Sequence, residues 1–185
     1  IPEIHRVSLA ANGDQADLGS AYPAISADGR YVAFRSDATN LVVGDSNSYT
    51  DIFTYDRQRG LPERISAGYD GTPANGPSYG PAISADGRYV AFYSSASNLV
   101  LGDGNTYYDI FVYDRQTRTT QMVSDPPGEG SSTTSSYNPS ISADGRFVAF
   151  TSGASNLVPG VSGGNVFVWD RQTLSFDCAS IGANG

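Results

Sequence analysis

Lysine is absent from this chain: all 11 basic residues are arginine, set against 19 acidic ones, for a formal charge of −8. An acidic chain without a basic patch binds nucleic acid and anionic membrane poorly, so neither is an expected partner. Cysteine occurs once, at Cys178, which excludes an intrachain disulfide and a cysteine zinc site. Histidine also occurs once, at His5, so a Ser-His-Asp triad would need a residue beside the N-terminus. No nucleophile elbow of the form G-x-S-x-G stands at a strand–helix turn. No apolar run approaches the roughly 18 residues of a membrane helix. Charged residues make up only 16% of the chain, where about 25% is usual. The Ala/Glu/Lys/Leu richness of a helical bundle is missing too. These absences point away from catalysis, and the chain is expected not to be an enzyme.

What is plentiful is turn-forming and aromatic: 21 Gly, 10 Pro and 12 Tyr. That profile predicts β structure, and the sequence is a repeat. ISADGR begins at Ile25, Ile83 and Ile141, a spacing of 58 both times. Residues 23–58 and 81–116 are identical at 28 of 36 positions, and residues 139–172 follow the same path with two residues fewer. Each unit reads as four short strands, broken first by an Ala-Asp-Gly turn in which Asp bonds the backbone ahead and Gly accepts positive φ. The second strand is RYVAF or RFVAF. The third is DIFTYD, DIFVYD or NVFVWD. Both run apolar without polar alternation, so both faces must be covered. Radially stacked blades do this, because each four-stranded antiparallel sheet packs against two neighbours. The expected fold is therefore all-β, with three β-propeller blades in a single array over 1–185, at about 20–66, 78–124 and 136–180.

SADGRYVAF followed about 20 residues later by DIFVYDRQT resembles the repeat of TolB-type propellers. That repeat usually runs Ser-Pro-Asp-Gly-Lys, an apolar strand, then an aromatic strand ending in Asp. Ala27, Ala85 and Ala143 stand where that family favours Pro, and Arg replaces Lys. The resemblance implies a propeller fold, and members include periplasmic interaction proteins and propeller domains attached to peptidases. It also suggests a periplasmic or extracellular location in a bacterium, in keeping with the Cys-poor, acidic surface.

Residues 4–13 share the repeat phase of 176–185, so the array holds three units plus a surplus fourth strand at 4–8. Propellers close with about 4–8 blades. Three blades would leave two apolar faces open, so the expectation is a homodimer completing a six-bladed ring, or a piece of a longer propeller.

A blade runs up and down, so the long segments 37–50 and 67–80 fall on one face and the short turns on the other. Long loops on a rigid scaffold carry binding, which makes the loop-rich face the working face. Two constellations lie there. GDSNSYTD and GDGNTYYD place Asp45, Asn47 and Asp51, and Asp103, Asn105 and Asp109, at spacings that resemble part of a calcium loop. Turn chemistry is the alternative. Several tyrosines also fall on this face, and Tyr49, Tyr79, Tyr107, Tyr108 and Tyr137 are the ligand-binding candidates, suited to a protein or a sugar. The expected function is a non-enzymatic scaffold that binds a protein or cell-envelope partner. The alternatives are a glycan-binding, lectin-like propeller with one site per blade, or the propeller domain of a larger secreted hydrolase. Calcium is the only cofactor expected, and that only through the acidic loops.

Overall fold

The computed structural model describes residues 4–125 and 134–180. Twelve strands form three antiparallel four-stranded sheets. Blade 1 is β1 (Ser20–Ile25), β2 (Tyr31–Ser36), β3 (Asp51–Asp56) and β4 (Leu61–Arg64). Blade 2 is β5 (Ser78–Ile83), β6 (Tyr89–Ser94), β7 (Asp109–Asp114) and β8 (Thr119–Met122). Blade 3 is β9 (Ser136–Ile141), β10 (Phe147–Ser152), β11 (Asn165–Asp170) and β12 (Ser175–Cys178). Each sheet is a plain meander in chain order, as short turns and loops demand.

The unalternating strands are covered on both sides. All six residues of β3 are buried. The trailing side of blade 1, with Ala33, Ile52 and Ile65, packs on the leading side of blade 2, with Val90, Phe92 and Phe111. Blade 2 meets blade 3 the same way, Ile110, Val112 and Val123 facing Val148, Phe150 and Phe167. Within each blade a cross-strand phenylalanine pair anchors the sheet: Phe34–Phe53 at 5.9 Å, Phe92–Phe111 at 5.8 Å and Phe150–Phe167 at 6.0 Å. Burying each ring contributes about 2–3 kcal/mol, so each pair is a substantial part of the apolar stabilisation of its blade.

Residues 4–8, expected as a surplus strand, form no strand in the single chain. Blade 3 already carries its own fourth strand, β12, so no open strand edge of that kind awaits them. The segment just beyond them keeps the repeat phase. Leu9 bridges Gln15 just as Ala67 bridges Pro73 one unit later. Val7, Leu9 and Ala16 cover the leading side of blade 1, where Ile65 and Ala74 cover that of blade 2. The matching segment 181–185 lies outside the described residues.

Candidate functional site

The loop-rich rim is set by a serine that ends each second strand. Ser36 Oγ accepts the Ala38 N–H at 3.1 Å and donates to the Gly19 carbonyl at 3.1 Å, turning the chain out of the sheet. Ser94 repeats both bonds, and Ser152 repeats the first. The acidic loops follow these serines. Asn47 Oδ1 accepts the Tyr49 N–H at 3.1 Å, an Asx turn, while its Nδ2 donates to Asp51 Oδ2 at 3.1 Å and to the Ala74 carbonyl at 3.0 Å. Asn105 does the same for Tyr107 and Asp109. Asp51 Oδ1 accepts from Ser66 Oγ at 2.6 Å, and that hydroxyl in turn accepts the Ile52 N–H at 2.9 Å. The Asp–Ser pair thus ties the end of the fourth strand to the third, and Asp109–Ser124 repeats it.

In blade 1 this geometry does not fit a calcium ion. Amide N–H groups rather than carbonyl oxygens face Asp51 and Asp109. In blade 1 the cation is supplied from within: Arg64 Nη1 lies 2.8 Å from Asp45 and 3.8 Å from Asp51. Among the described residues no three His, Cys, Asp or Glu groups converge as metal ligands would. Burial pushes Asp51 up to about 6, with the Asp45 charge adding to it. In blade 2 Met122 stands where Arg64 stood. There burial, then the charges of Asp109 and Asp125, push Asp103 up to about 6. The acidic loops are turn and strand-closure devices, the bland alternative in the sequence.

The tyrosines divide. Tyr49 and Tyr107 stand exposed on the acidic loops and join no aromatic group. Tyr79, Tyr108 and Tyr137 come together across the boundary of blades 2 and 3, around Tyr93, which the sequence reading did not single out. Tyr93 lies 5.6 Å from Tyr79, 5.6 Å from Tyr108 and 5.5 Å from Tyr137. Arg35 occupies the Tyr93 position of blade 1 and extends the stripe, its guanidinium 4.5 Å from the Tyr22 ring and 5.4 Å from the Tyr79 ring. A register shift in each first strand shapes this surface. It puts Tyr22, Gly80 and Asn138 at positive φ, and such bulges re-aim side chains. At Gly80 the Tyr93 ring lies 2.7 Å from where a Cβ would stand, so only glycine fits. Repeat equivalence was the signal available for Tyr93, because Arg35 and Thr151 occupy the same position.

On the opposite rim the repeated aspartates and arginines hold turns and strands together. Asp28, Asp86 and Asp144 close their turns by accepting from Ser26, Ser84 and Ser142 and from the following Arg N–H. Arg30, Arg88 and Arg146 pair with Asp56, Asp114 and Asp170 in their own blades. Trp169 is core, as its equivalence to Tyr55 and Tyr113 predicted, and Cys178 is half-buried. The string GPSYG at 76–80 opens β5, and its Ser78 is fully buried against Ser94, 2.9 Å away, so it presents no nucleophile.

No family model and no curated protein sequence matches the chain. Solved structures do. A TolB-assigned protein from Agrobacterium tumefaciens is similar over 87% of this chain and 49% of its own, with 20% identity and a TM-score of 0.58. The β-propeller domain of the trilobed protease from Pyrococcus furiosus is similar over 88% and 43%, with 16% identity and a TM-score of 0.57. A puromycin-hydrolysing peptidase from Mycobacterium tuberculosis is similar over 87% and 20%, with 16% identity and a TM-score of 0.54. The chain therefore spans half or less of the length of these structures. At such identities the likeness speaks for the fold: the chain folds as three β-propeller blades, similar to those of the TolB-assigned protein.

Proposed function

We propose that the chain is a non-enzymatic binding module whose working surface is the tyrosine–arginine stripe on the loop-rich rim. The observation that carries this reading is the stripe itself: four clustered tyrosine rings continued by Arg35 and Tyr22, with Tyr22 and Tyr137 well exposed. Tyrosine and arginine dominate the energetics of protein interfaces, and rigid rings lose little entropy on binding. The stripe is single rather than one per blade. Position 21 is Ala where Tyr79 and Tyr137 stand, and Thr50 and Gly164 replace Tyr108. A lectin-like surface with one sugar site per blade would need the aromatic position repeated. A protein segment laid across the blade boundary does not. The neighbours include a TolB-assigned protein and propellers of peptidases, and the hydrolase-domain reading differs in assigning the chemistry to a further domain. An exported location, periplasmic or extracellular, belongs to this proposal.

The test is selection of peptide ligands from a displayed library on the purified chain, followed by affinity measurement on Tyr93→Ala, Tyr137→Ala and Arg35→Glu. The expected result is a loss of tenfold or more with each variant. Ligands indifferent to all three substitutions, or strong multivalent binding on a glycan array instead, would overturn the reading.

A further inference from the structure

The two blade-to-blade junctions are built from the same contact, and each half of that contact recurs unused at an end of the stack. At the first junction Tyr31 of blade 1 lies on Gly87 of blade 2, where a Cβ would fall 2.3 Å from the ring. Its faces are held by Arg30 at 4.7 Å and by Arg115 of blade 2 at 3.9 Å. Arg115 is itself anchored on the Gly87 carbonyl at 3.0 Å. At the second junction Tyr89 lies on Gly145 between Arg88 at 4.7 Å and Arg171 at 4.0 Å, with Arg171 anchored on the Gly145 carbonyl.

Blade 3 offers the aromatic half again. Phe147 carries Arg146 at 4.7 Å on one face, and it is 38% exposed where Tyr89 is 6% exposed. Blade 1 offers the other half. Arg57 donates to the Gly29 carbonyl at 2.7 Å, and no aromatic ring among the described residues lies against its guanidinium. A backbone rail crosses the same junctions. Ala27 N–H donates to the Ala85 carbonyl and Ala85 N–H to the Ala143 carbonyl, each at 2.9 Å, which leaves the Ala143 N–H and the Ala27 carbonyl as its ends. A second rail runs on the loop-rich rim, Ser78 to Thr50 and Ser136 to Tyr108, and its terminal positions are Ser20 and Gly164. Around Phe147 no other described residue covers the trailing side of blade 3 as blade 2 and blade 3 cover those before them. Val166 is 38% exposed, while its equivalents Ile52 and Ile110 are completely buried.

We infer that a second copy of this chain covers that side, its blade 1 docking on blade 3 so that Phe147 seats on Gly29 against Arg57. All the unused halves are complementary, and all lie on this one pair of surfaces, so a second copy of the 185-residue chain presents the face that each needs. The contact is head-to-tail, so repeating the blade-to-blade rotation gives a ring where that rotation closes and an open array where it does not. Two copies make six blades, inside the usual range of about 4–8, and three would exceed it. The inference is independent of the tyrosine stripe and stands or falls without it.

The test is sedimentation equilibrium of the chain, with Phe147→Asp and Arg57→Glu, both at exposed positions, and far-ultraviolet circular dichroism to confirm that each variant is folded. The expected result is a species of twice the 19.5 kDa chain mass, with a dissociation constant raised tenfold or more by either substitution. A monomer at all concentrations up to the millimolar range would overturn the inference and leave a different partner on that side. A dimer indifferent to both substitutions would place the contact elsewhere, and a trimer or open polymer would overturn closure by two copies.

Discussion

Gly29, Gly87 and Gly145 share a φ near +70°, yet different groups lie above them. A Cβ on Gly87 would meet the Tyr31 ring at 2.3 Å, and one on Gly145 the Tyr89 ring at 2.2 Å. On Gly29 the nearest atom would be the Arg57 guanidinium at 3.6 Å. Gly87→Ala should therefore cost about 3 kcal/mol, from backbone strain plus overpacking, and Gly29→Ala about 1 kcal/mol from strain alone in the isolated chain. Urea unfolding of the two variants at low protein concentration measures the difference. Asp103 makes a second residue-scale prediction. Its folded carboxyl titrates near 6 against an ordinary 3.8, so the folded chain holds a proton that the unfolded chain gives up. Stability from this group falls as pH rises from about 4 to about 6. Asp103→Asn should flatten that slope and raise stability at pH 7.5 by about 1 kcal/mol, allowing for solvent screening of a half-exposed group. Asp170 has the opposite sign. The bidentate Arg146 holds its carboxyl well below the usual range, so its contribution is present above pH 4 and is lost as pH falls. Urea midpoints from pH 3 to 8 separate the two.

At the scale of the strand, the fourth strands depend on charge and hydroxyl groups more than on apolar burial. β4 is short, and its attachment to β3 continues past Arg64 through the Ser66–Asp51 bond. Arg64→Met would give blade 1 the arrangement of blade 2, leaving Asp45 and Asp51 without their guanidinium. Removing one partner of a buried pair costs about 3 kcal/mol. That loss is expected at pH 8 and should shrink at pH 5, below the value of about 6 to which burial raises Asp51. Thermal melts at the two pH values give the result. This is also where the sequence was least legible. The strands themselves could be read, because RYVAF and DIFVYD lack polar alternation and the turns carry Asp-Gly. The acidic loops could not be resolved, because metal ligands and turn formers use the same oxygens. What decides is the direction in which Asn47 points its amide and the reach of Arg64 from another strand. Tyr93 was hidden for a related reason: it lies just past RYVAF, and only the bulge at Gly80 shows its ring turned to the stripe. A strand at 4–8 needs an edge from another blade, a partner that no local pattern supplies and that the single chain does not offer.

At the scale of the whole molecule, stability is a sum of blade terms and junction terms, as in other linear repeats. The two junctions gained if two copies pair as inferred should make the melting temperature depend on protein concentration, by about 4 °C per hundredfold. Calcium, by contrast, should move the melting temperature by less than about 1 °C relative to chelator, because Arg64 supplies the cation in blade 1 and, among the described residues, no three His, Cys, Asp or Glu groups converge as ligands. Differential scanning calorimetry across concentration, with and without calcium, covers both expectations.

The alanine rail has one further consequence. Every N–H in it points toward the higher-numbered blade, so the array is vectorial, like a zip with teeth on one edge and sockets on the other. Two identical ends cannot mate. A unit duplicated within the gene would slot between its neighbours without altering a single junction, and residues 23–58 and 81–116 are already close enough in sequence to be interchangeable cassettes. Blade number in such a chain is a quantity that recombination can step up or down, leaving the curvature of the ring to decide which counts survive.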